Sequence, residues 1–258
     1  MTEQGETQRP KRSYFVSDLH LGGGSDAAEA SRRERRFVAW LDAAAADAEA
    51  IFLLGDLFDF WFEYRRVVPK GFVRTLAKLA ELTERGIKIV FLTGNHDMWV
   101  GNYLAHECGV EVHTGPIEVT LCGRRILLAH GDNMNIKGQP ALRLMNTVFR
   151  SRIIRFLFSW GVHPDWALKF GRWWSDSSRR KHDKYPSDAK CADILTEYAH
   201  RYSASHAGVD TFIFGHMHVM HDYRSGGIRV VLLGEWRETP NCAVMDDGGE
   251  ISLKIIGQ

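Results

Sequence analysis

The chain has 258 residues, of which 45% are hydrophobic, so it can bury a sizeable core and is not disordered as a whole. Its formal net charge of +1 gives no overall field that favours nucleic acid. The four cysteines form no Cys-x-x-Cys pair and the polar N-terminus has no signal-peptide pattern, which predicts a cytoplasmic protein with unpaired thiols. No apolar run approaches the ~20 residues of a membrane-spanning helix, so any membrane contact is expected to be peripheral.

The first half of the chain predicts strands that alternate with helices. Residues 1–12 mix charge with Gly and Pro and predict a disordered tail, which leaves residues 13–258 as a single domain. Apolar runs at 14–16, 51–54 and 87–92 predict strands, and helical periodicity lies between them at 29–46 and from residue 72 to Gly86. A short helix is expected at 99–107. This alternation implies parallel strands joined by helical crossovers.

Later segments predict hairpins instead. Apolar runs at 117–121 and 125–129 flank a turn at 122–124, and further runs lie at 211–214, 220–223 and 228–233. The run from 241 to 256 is broken at 247–249, and a helix is expected from about Ser187 to Arg201. Crossovers first and hairpins later predict two sheets packed face to face, with helices on the outside.

A helical insertion is predicted between these halves, over about residues 134–185. Leu142, Met145, Phe149, Ile153, Phe156 and Trp160 form a stripe at helical spacing, and further aromatic residues follow Pro164. Residues 140–184 contain ten Lys and Arg residues against three Asp residues. The near-neutral total charge therefore hides one strongly basic segment.

Polar clusters follow five of the apolar runs. They are Asp18-x-His20, Gly55-Asp56, Gly94-Asn95-His96-Asp97, His130 and Gly215-His216-x-His218. Strand-end loops of a largely parallel sheet converge on one rim, so these side chains are expected to meet although they span much of the chain. Oxygen and imidazole ligands suit Mn, Fe or Zn, and the absence of cysteine ligands argues against a structural zinc.

The clusters supply too many ligands for one ion. The predicted ligands are Asp18, His20, Asp56 and His218 for the first ion, and Asp56, Asn95, His130 and His216 for the second. Two ions roughly 3.5–4 Å apart can activate a shared water and clamp the oxygens of an in-line displacement at phosphorus. His96 is then uncommitted to metal and can stabilise developing charge or protonate the leaving oxygen, with Asp97 as its support. Asp59 stays outside this ligand set.

The order of these motifs, from Asp18 to His218, resembles that of the calcineurin-like metallophosphoesterase superfamily. The resemblance implies an α/β (α+β) fold, a four-layer αββα sandwich of two mixed sheets flanked by helices. It also implies a two-metal centre with ligands at the positions given above, Mn²⁺ as the favoured metal with Fe or Zn as alternatives, and hydrolysis of phosphate esters or pyrophosphates.

Three stretches, at 17–22, 55–61 and 130–132, resemble the UDP-2,3-diacylglucosamine hydrolases of lipid A biosynthesis. That resemblance implies attack of water on the α-phosphorus of the UDP-linked lipid, which releases UMP and 2,3-diacylglucosamine 1-phosphate. One position departs from the best-known branch, which has Arg after the Asn where this chain has His96. His is the general superfamily residue, so the chemistry is expected to be intact and the exact substrate is the open question.

The insertion indicates an acylated substrate independently. Its apolar stripe can form a groove for acyl chains, and Arg150, Arg179, Arg180 and Lys181 are the predicted contacts to diphosphate or sugar. The same surface could seat the enzyme on the anionic inner membrane. The alternatives are a phosphoesterase acting on a soluble nucleotide, phosphodiester or phosphoprotein, and, from another class, a catalytically dead scaffold. A nuclease is disfavoured because the basic residues lie among aliphatic ones rather than along a charged track.

Overall fold

The computed structural model describes residues 11–24, 26–134, 147–149, 151–182 and 188–257. Its strands are β1 (Arg12–Val16), β2 (Ala48–Leu54), β3 (Lys88–Leu92), β4 (Glu111–His113), β5 (Ile117–Leu121), β6 (Arg124–Ala129), β7 (Val209–Phe214), β8 (His221–Ser225), β9 (Ile228–Leu232), β10 (Asn241–Met245) and β11 (Ile251–Ile255). Its helices are α1 (Ala27–Ala44), α2 (Val73–Glu84), α3 (Tyr103–Cys108), α4 (Arg152–Gly161), α5 (Pro164–His182) and α6 (Asp188–Ser205).

The first sheet has the strand order β11-β10-β1-β2-β3-β4. Strands β1 to β4 run parallel, while β10 and β11 are antiparallel to their neighbours. Strand β1 begins at Arg12, which pairs with Ala48, so this residue of the predicted tail of residues 1–12 belongs to the first sheet, and residues 1–10 lie outside the described part of the chain. Strand β4 was not predicted, because three residues at a sheet edge are too few to produce a periodic pattern.

The second sheet has the order β5-β6-β7-β9-β8 and mixes parallel with antiparallel pairs. Alternate side chains of the central strands point to opposite faces. On the first sheet, Tyr14 and Val16 pack toward α1 and α2, whereas Phe15 faces the second sheet. On the second sheet, Ile126 and its alternate neighbours face the first sheet and the opposite set packs against α6. The predicted four-layer αββα sandwich is confirmed.

Within its described residues, the insertion contains helices α4 and α5, which contact the body through a small number of polar and aromatic side chains. Ser151 caps α4 with its hydroxyl, and Pro164 begins α5. Trp99 Nε1 donates to the carbonyl of Phe149 at 2.7 Å, and the Tyr64 hydroxyl donates to the carbonyl of Val162 at 3.0 Å. The outer side of the insertion leaves large apolar side chains in solvent, namely Ile153, Phe156, Leu157, Trp160, Trp166 and Trp173. None of the helices, over the residues that the structure describes, combines the length and apolarity needed to span a bilayer.

Candidate binuclear metal centre

The backbone at the strand ends adopts the left-handed conformation, which residues other than Gly rarely take. Positive φ angles occur at Asp18 (54°), His20 (46°), Asp56 (52°), His216 (69°) and His218 (58°). Each such residue costs about 1–3 kcal/mol and persists only where its surroundings hold it. Here the backbone N–H of Asp18 donates to Gly55 O at 3.1 Å and that of His20 donates to Asp56 O at 2.9 Å. The two loops therefore hold each other in the strained form.

Glycines allow these loops to approach one another. A Cβ atom on Gly55 would lie 2.5 Å from Nδ1 of His130, and one on Gly94 would overlap the Asp56 carboxylate. Only residues without a side chain fit at these two positions, because the neighbours there are buried and have no room to move. The close approach brings the ends of β2, β3 and β6 to one point.

One group of ligand atoms contains Asp18, His20 and His218. The Nε2 atoms of His20 and His218 are 3.3 Å apart, and Nε2 of His218 is 3.3 Å from Oδ1 of Asp18. Nε2 of His20 lies 3.9 Å from the same carboxylate oxygen. The other Asp18 oxygen accepts a hydrogen bond from the backbone N–H of His216 at 2.9 Å. Three nitrogen and oxygen atoms thus converge within the separations expected of ligands to one ion.

A second group surrounds Asp56 and His130. The Oδ2 atom of Asp56 faces three imidazole nitrogens, at 3.8 Å from Nε2 of His20, 3.5 Å from Nε2 of His130 and 3.9 Å from Nε2 of His96. Nδ1–H of His130 donates to the carbonyl of Leu54 at 2.9 Å, so Nε2 turns toward Asp56 and toward Asn95 Oδ1, 3.1 Å away. The His216 ring lies beside that of His130, with 5.1 Å between centroids. Asp56 is thus the carboxylate between the two groups, in the position that a bridging ligand needs.

The loop at 94–97 distributes its side chains over different contacts. Nδ1–H of His96 donates to the carbonyl of Asp59 at 2.9 Å, which leaves Nε2 facing Asp56. The Asp97 carboxylate accepts from the backbone N–H of Gly94 at 2.7 Å and of Phe58 at 3.3 Å. Burial, followed by the charge of Asp56, raises the pKa of Asp97 to about 7. Asp97 therefore orients the loop through the backbone N–H groups that it accepts from.

The family model for calcineurin-like phosphoesterases matches residues 11–220, a span that contains all of these clusters. The chain belongs to the calcineurin-like phosphoesterases. It is therefore a hydrolase, and the resemblance inferred from its motifs is confirmed.

Curated relatives cover nearly the whole length of this phosphoesterase. A UDP-2,3-diacylglucosamine hydrolase of Porphyromonas gingivalis is 40% identical over 248 residues, which are 90% of this chain and 93% of the relative. Proteins of the same name from Stutzerimonas stutzeri and Neisseria meningitidis are 30% and 27% identical, over 91% and 92% of this chain and 95% of each relative. The similarity therefore extends over most of the chain and is not confined to the polar clusters.

Electrostatics supports cation binding by the phosphoesterase. Burial opposes ionisation of Asp18 and of Asp56. The pKa of Asp18 is nevertheless lowered below its ordinary value by His218, and the pKa of Asp56 is lowered by His130. Burial likewise opposes a charge on His130, but Asp56 raises the pKa of His130 well above its ordinary value. In the protein alone, protons on imidazoles thus compensate for buried carboxylates. A divalent cation can replace those protons.

Two buried polar atoms of the centre fit this interpretation. Oδ1 of Asp18 and Nδ1 of His20 have no hydrogen-bond partner among the described residues. Buried polar atoms of this kind are costly unless a further group satisfies them. Asp18 Oδ1 points at His218, and both are of the donor types that first-row divalent ions accept. The residues present therefore fit two divalent ions, with carboxylate, amide and imidazole donors.

Two residues beside the centre, Glu235 and Arg33, were missed from the sequence, and a third, Asp59, was considered but left outside the ligand set. Glu235 lies with Oε2 3.4 Å from Nδ1 of His218, and Arg33 of α1 donates to the carbonyl of His20 at 2.8 Å. Asp59, excluded from the ligand set, forms a buried group with His20 and His96. Glu235 follows the apolar run of β9, so the strand-end pattern could have found it. Arg33 had no such signal, because its burial depends on how α1 packs over the loop.

The four predicted substrate contacts fall on parts of the chain whose side chains are not described. Arg150 is outside the described residues. Arg179, Arg180 and Lys181 belong to α5, but their side chains are outside the described part of the chain.

Proposed function

We propose that this phosphoesterase cleaves the pyrophosphate bond of UDP-2,3-diacylglucosamine and releases UMP and 2,3-diacylglucosamine 1-phosphate, a step of lipid A biosynthesis. The observation that carries this proposal is the exposed apolar surface of α4 and α5 beside a metal centre of the phosphoesterase type. The relatives named for this reaction, at up to 40% identity, support the same substrate. A soluble nucleotide or phosphoprotein would have no use for such a surface.

The proposed metal ligands are those expected from the sequence, with two ions sharing Asp56. Asp18, His20 and His218 complete the set of the first ion, and Asn95, His130 and His216 that of the second. We favour Mn²⁺, the metal that the resemblance to calcineurin-like metallophosphoesterases implies, with Fe or Zn as alternatives for the same oxygen and imidazole ligands. When bound, the pair of ions supplies a nucleophile from water at neutral pH and stabilises charge on the phosphorus oxygens.

His96 is the proposed acid or charge-stabilising group beside the phosphorus. Its Nδ1–H is fixed on the Asp59 carbonyl, so Nε2 is directed into the centre and is the atom that can hold or release a proton. An imidazole in this place can protonate the leaving oxygen of the acylated sugar 1-phosphate or stabilise the negative charge that develops on it. Asp97 supports this role by fixing the backbone of the loop at Gly94.

The insertion is the proposed site for the lipid part of the substrate. Acyl chains would cover exposed side chains such as Phe156 and Trp160, while Arg150, Arg179, Arg180 and Lys181 would contact diphosphate or sugar. We also propose that the same face meets the anionic surface of the inner membrane, from which the substrate would enter. Apolar side chains among basic residues are typical of helices that lie in the membrane interface.

The direct test is to incubate the purified protein and Mn²⁺ with UDP-2,3-diacylglucosamine and to measure UMP. We expect UMP and the acylated sugar 1-phosphate in equal amounts, and no UMP after chelation of the metal. Failure to release UMP, together with hydrolysis of bis(p-nitrophenyl) phosphate, would contradict the substrate assignment and leave the metal chemistry in place.

A further inference from the structure

Asp59 lies at the boundary between the metal centre and the insertion. Its side chain is buried, and its backbone N–H donates to the carbonyl of Leu21 at 2.9 Å. Ser175 of α5 is also fully buried and donates its hydroxyl to Oδ1 of Asp59 at 2.7 Å. These two residues are 116 positions apart in the chain. One hydrogen bond therefore joins the insertion to the strand-end loop that carries Asp56.

The same residue contacts two imidazoles of the centre. Oδ1 of Asp59 is 3.9 Å from Nδ1 of His20, a buried nitrogen with no hydrogen-bond partner among the described residues. The backbone carbonyl of Asp59 accepts the hydrogen bond from Nδ1–H of His96. Asp59 thus contacts the Nδ1 side of both rings, whereas the Nε2 atoms of both rings face Asp56.

Those outward nitrogens control how the rings present their other nitrogen. A histidine that binds a metal through Nε2 usually donates its Nδ1–H to a carboxylate or a carbonyl, which fixes both the tautomer and the rotation of the ring. For His96 that acceptor is the Asp59 carbonyl. For His20, the Asp59 carboxylate is the neighbouring acceptor, and Ser175 determines where this carboxylate points.

Packing makes the position of Asp59 depend on α5. A Cβ atom on Gly23 would lie 2.5 Å from Oδ1 of Asp59, so the loop after His20 encloses the carboxylate from one side. On the other side, a Cβ atom on Gly171 of α5 would overlap the ring of Phe60, the residue next to Asp59. The backbone of α5 is thus in direct contact with this loop. A displacement of α5 would move Asp59 with it.

We propose that Asp59 is a positioning residue through which helix α5 sets the orientation of His20 and His96. The proposal rests on the metal-ligand and catalytic roles given above to these two histidines. Asp59 itself does not bind metal in this proposal. The surface that receives the lipid and the rings that act on the phosphate then form one mechanical unit, so that seating the substrate against α5 and aligning the centre are linked.

The test removes only the hydroxyl that α5 contributes. In Ser175→Ala we expect the Mn²⁺ affinity of the metal-stripped protein, measured by calorimetry, to fall about 10-fold, the lower end of the effect usual for residues that orient metal ligands. With bis(p-nitrophenyl) phosphate, which has no acyl chain, we expect kcat to fall by about the same factor and KM to stay unchanged. Asp59→Asn should lower both quantities further, by up to about 100-fold.

Matched variants separate positioning from packing. Ser175→Thr keeps the hydroxyl and should restore affinity and kcat. Ser159→Ala on α4 should change neither, because the Ser159 hydroxyl donates to the carbonyl of Phe156 within its own helix turn. Wild-type metal affinity and kcat in both Ser175→Ala and Asp59→Asn would overturn the proposal, and so would equal losses in the Ala and Thr variants. None of these measurements uses the lipid, so a failure of the substrate assignment would be seen separately as missing UMP.

Discussion

Two regions of the molecule use the same residue types in opposite ways. One is the rim, formed by the strand-end loops that carry the proposed ligands, and the other is the insertion. Trp61 and Trp236 are fully buried under the rim, where Trp61 packs on Phe58 with 4.4 Å between ring centroids. On the insertion, Trp160 is 84% exposed and Trp166 is 68% exposed. A large apolar side chain gains about 1.5–3 kcal/mol when it is fully buried, so the rim tryptophans stabilise the fold while those of the insertion forgo that gain. The difference indicates that the insertion is shaped for something other than stability.

The polar residues of the two regions differ in the same sense. At the rim, strained residues such as Asp56 and His216 are held by neighbouring loops and glycines that leave no freedom of movement. The described polar contacts of the insertion with the body are few, and most of them end on backbone carbonyls, as at Phe149 and Val162. Catalysis requires the first kind of region, because reacting groups must be fixed in advance. Recognition of a flexible lipid is compatible with the second.

The largest effect is expected from removing a proposed metal ligand at the rim. We predict that Asn95→Ala or His130→Ala abolishes turnover of both the lipid and bis(p-nitrophenyl) phosphate, because the second ion loses a donor. Metal analysis should show a fall from two to one Mn²⁺ per chain. His113→Ala, on β4 and paired with Glu111, is the control and should keep both ions. Full metal content in the two rim variants would remove these residues from the ligand set.

A smaller effect is expected from His96, which belongs to the rim but not to the ligand set. His96→Ala should lower kcat by about 10²- to 10⁴-fold, the usual contribution of a general acid, while both ions are retained. Steady-state kinetics together with metal analysis checks this, with the exposed His106→Ala on α3 as the control. Loss of an ion in His96→Ala to the same degree as in His130→Ala would show that His96 is itself a ligand.

The sequence predicted the rim better than it predicted the support around the rim. Clusters such as Asp18-x-His20 follow apolar runs, and this local pattern combined with the rule for strand ends in parallel sheets was enough to bring them together. The contact of Asp59 with Ser175 joins positions 116 apart, and that of Arg33 with His20 depends on how α1 packs over the loop, so no periodicity points to either contact. Composition predicted the helices of the insertion, but their orientation depends on tertiary contacts such as that of Phe158 with Phe62.

The smallest of these effects is expected from variants on the insertion. These variants test most directly whether the insertion and the rim differ in function. Trp160→Ser and Phe156→Ser should raise KM for UDP-2,3-diacylglucosamine about 10-fold, equivalent to about 1.4 kcal/mol of lost apolar contact, since both side chains would cover acyl chains. Hydrolysis of bis(p-nitrophenyl) phosphate should be unchanged, because that substrate does not reach the insertion.

Thermal unfolding should also be unchanged in these variants, since Trp160 and Phe156 are 84% and 67% exposed and contribute little to the core. Val73→Ser is the matched control, because Val73 is 72% exposed but lies on α2. If all three variants shift KM for the lipid equally, the exposed surface of the insertion has no special affinity for acyl chains. If the small phosphodiester is affected as strongly as the lipid, the insertion and the rim are not separate in function, and the coupling through Ser175 and Asp59 would then be the path to examine.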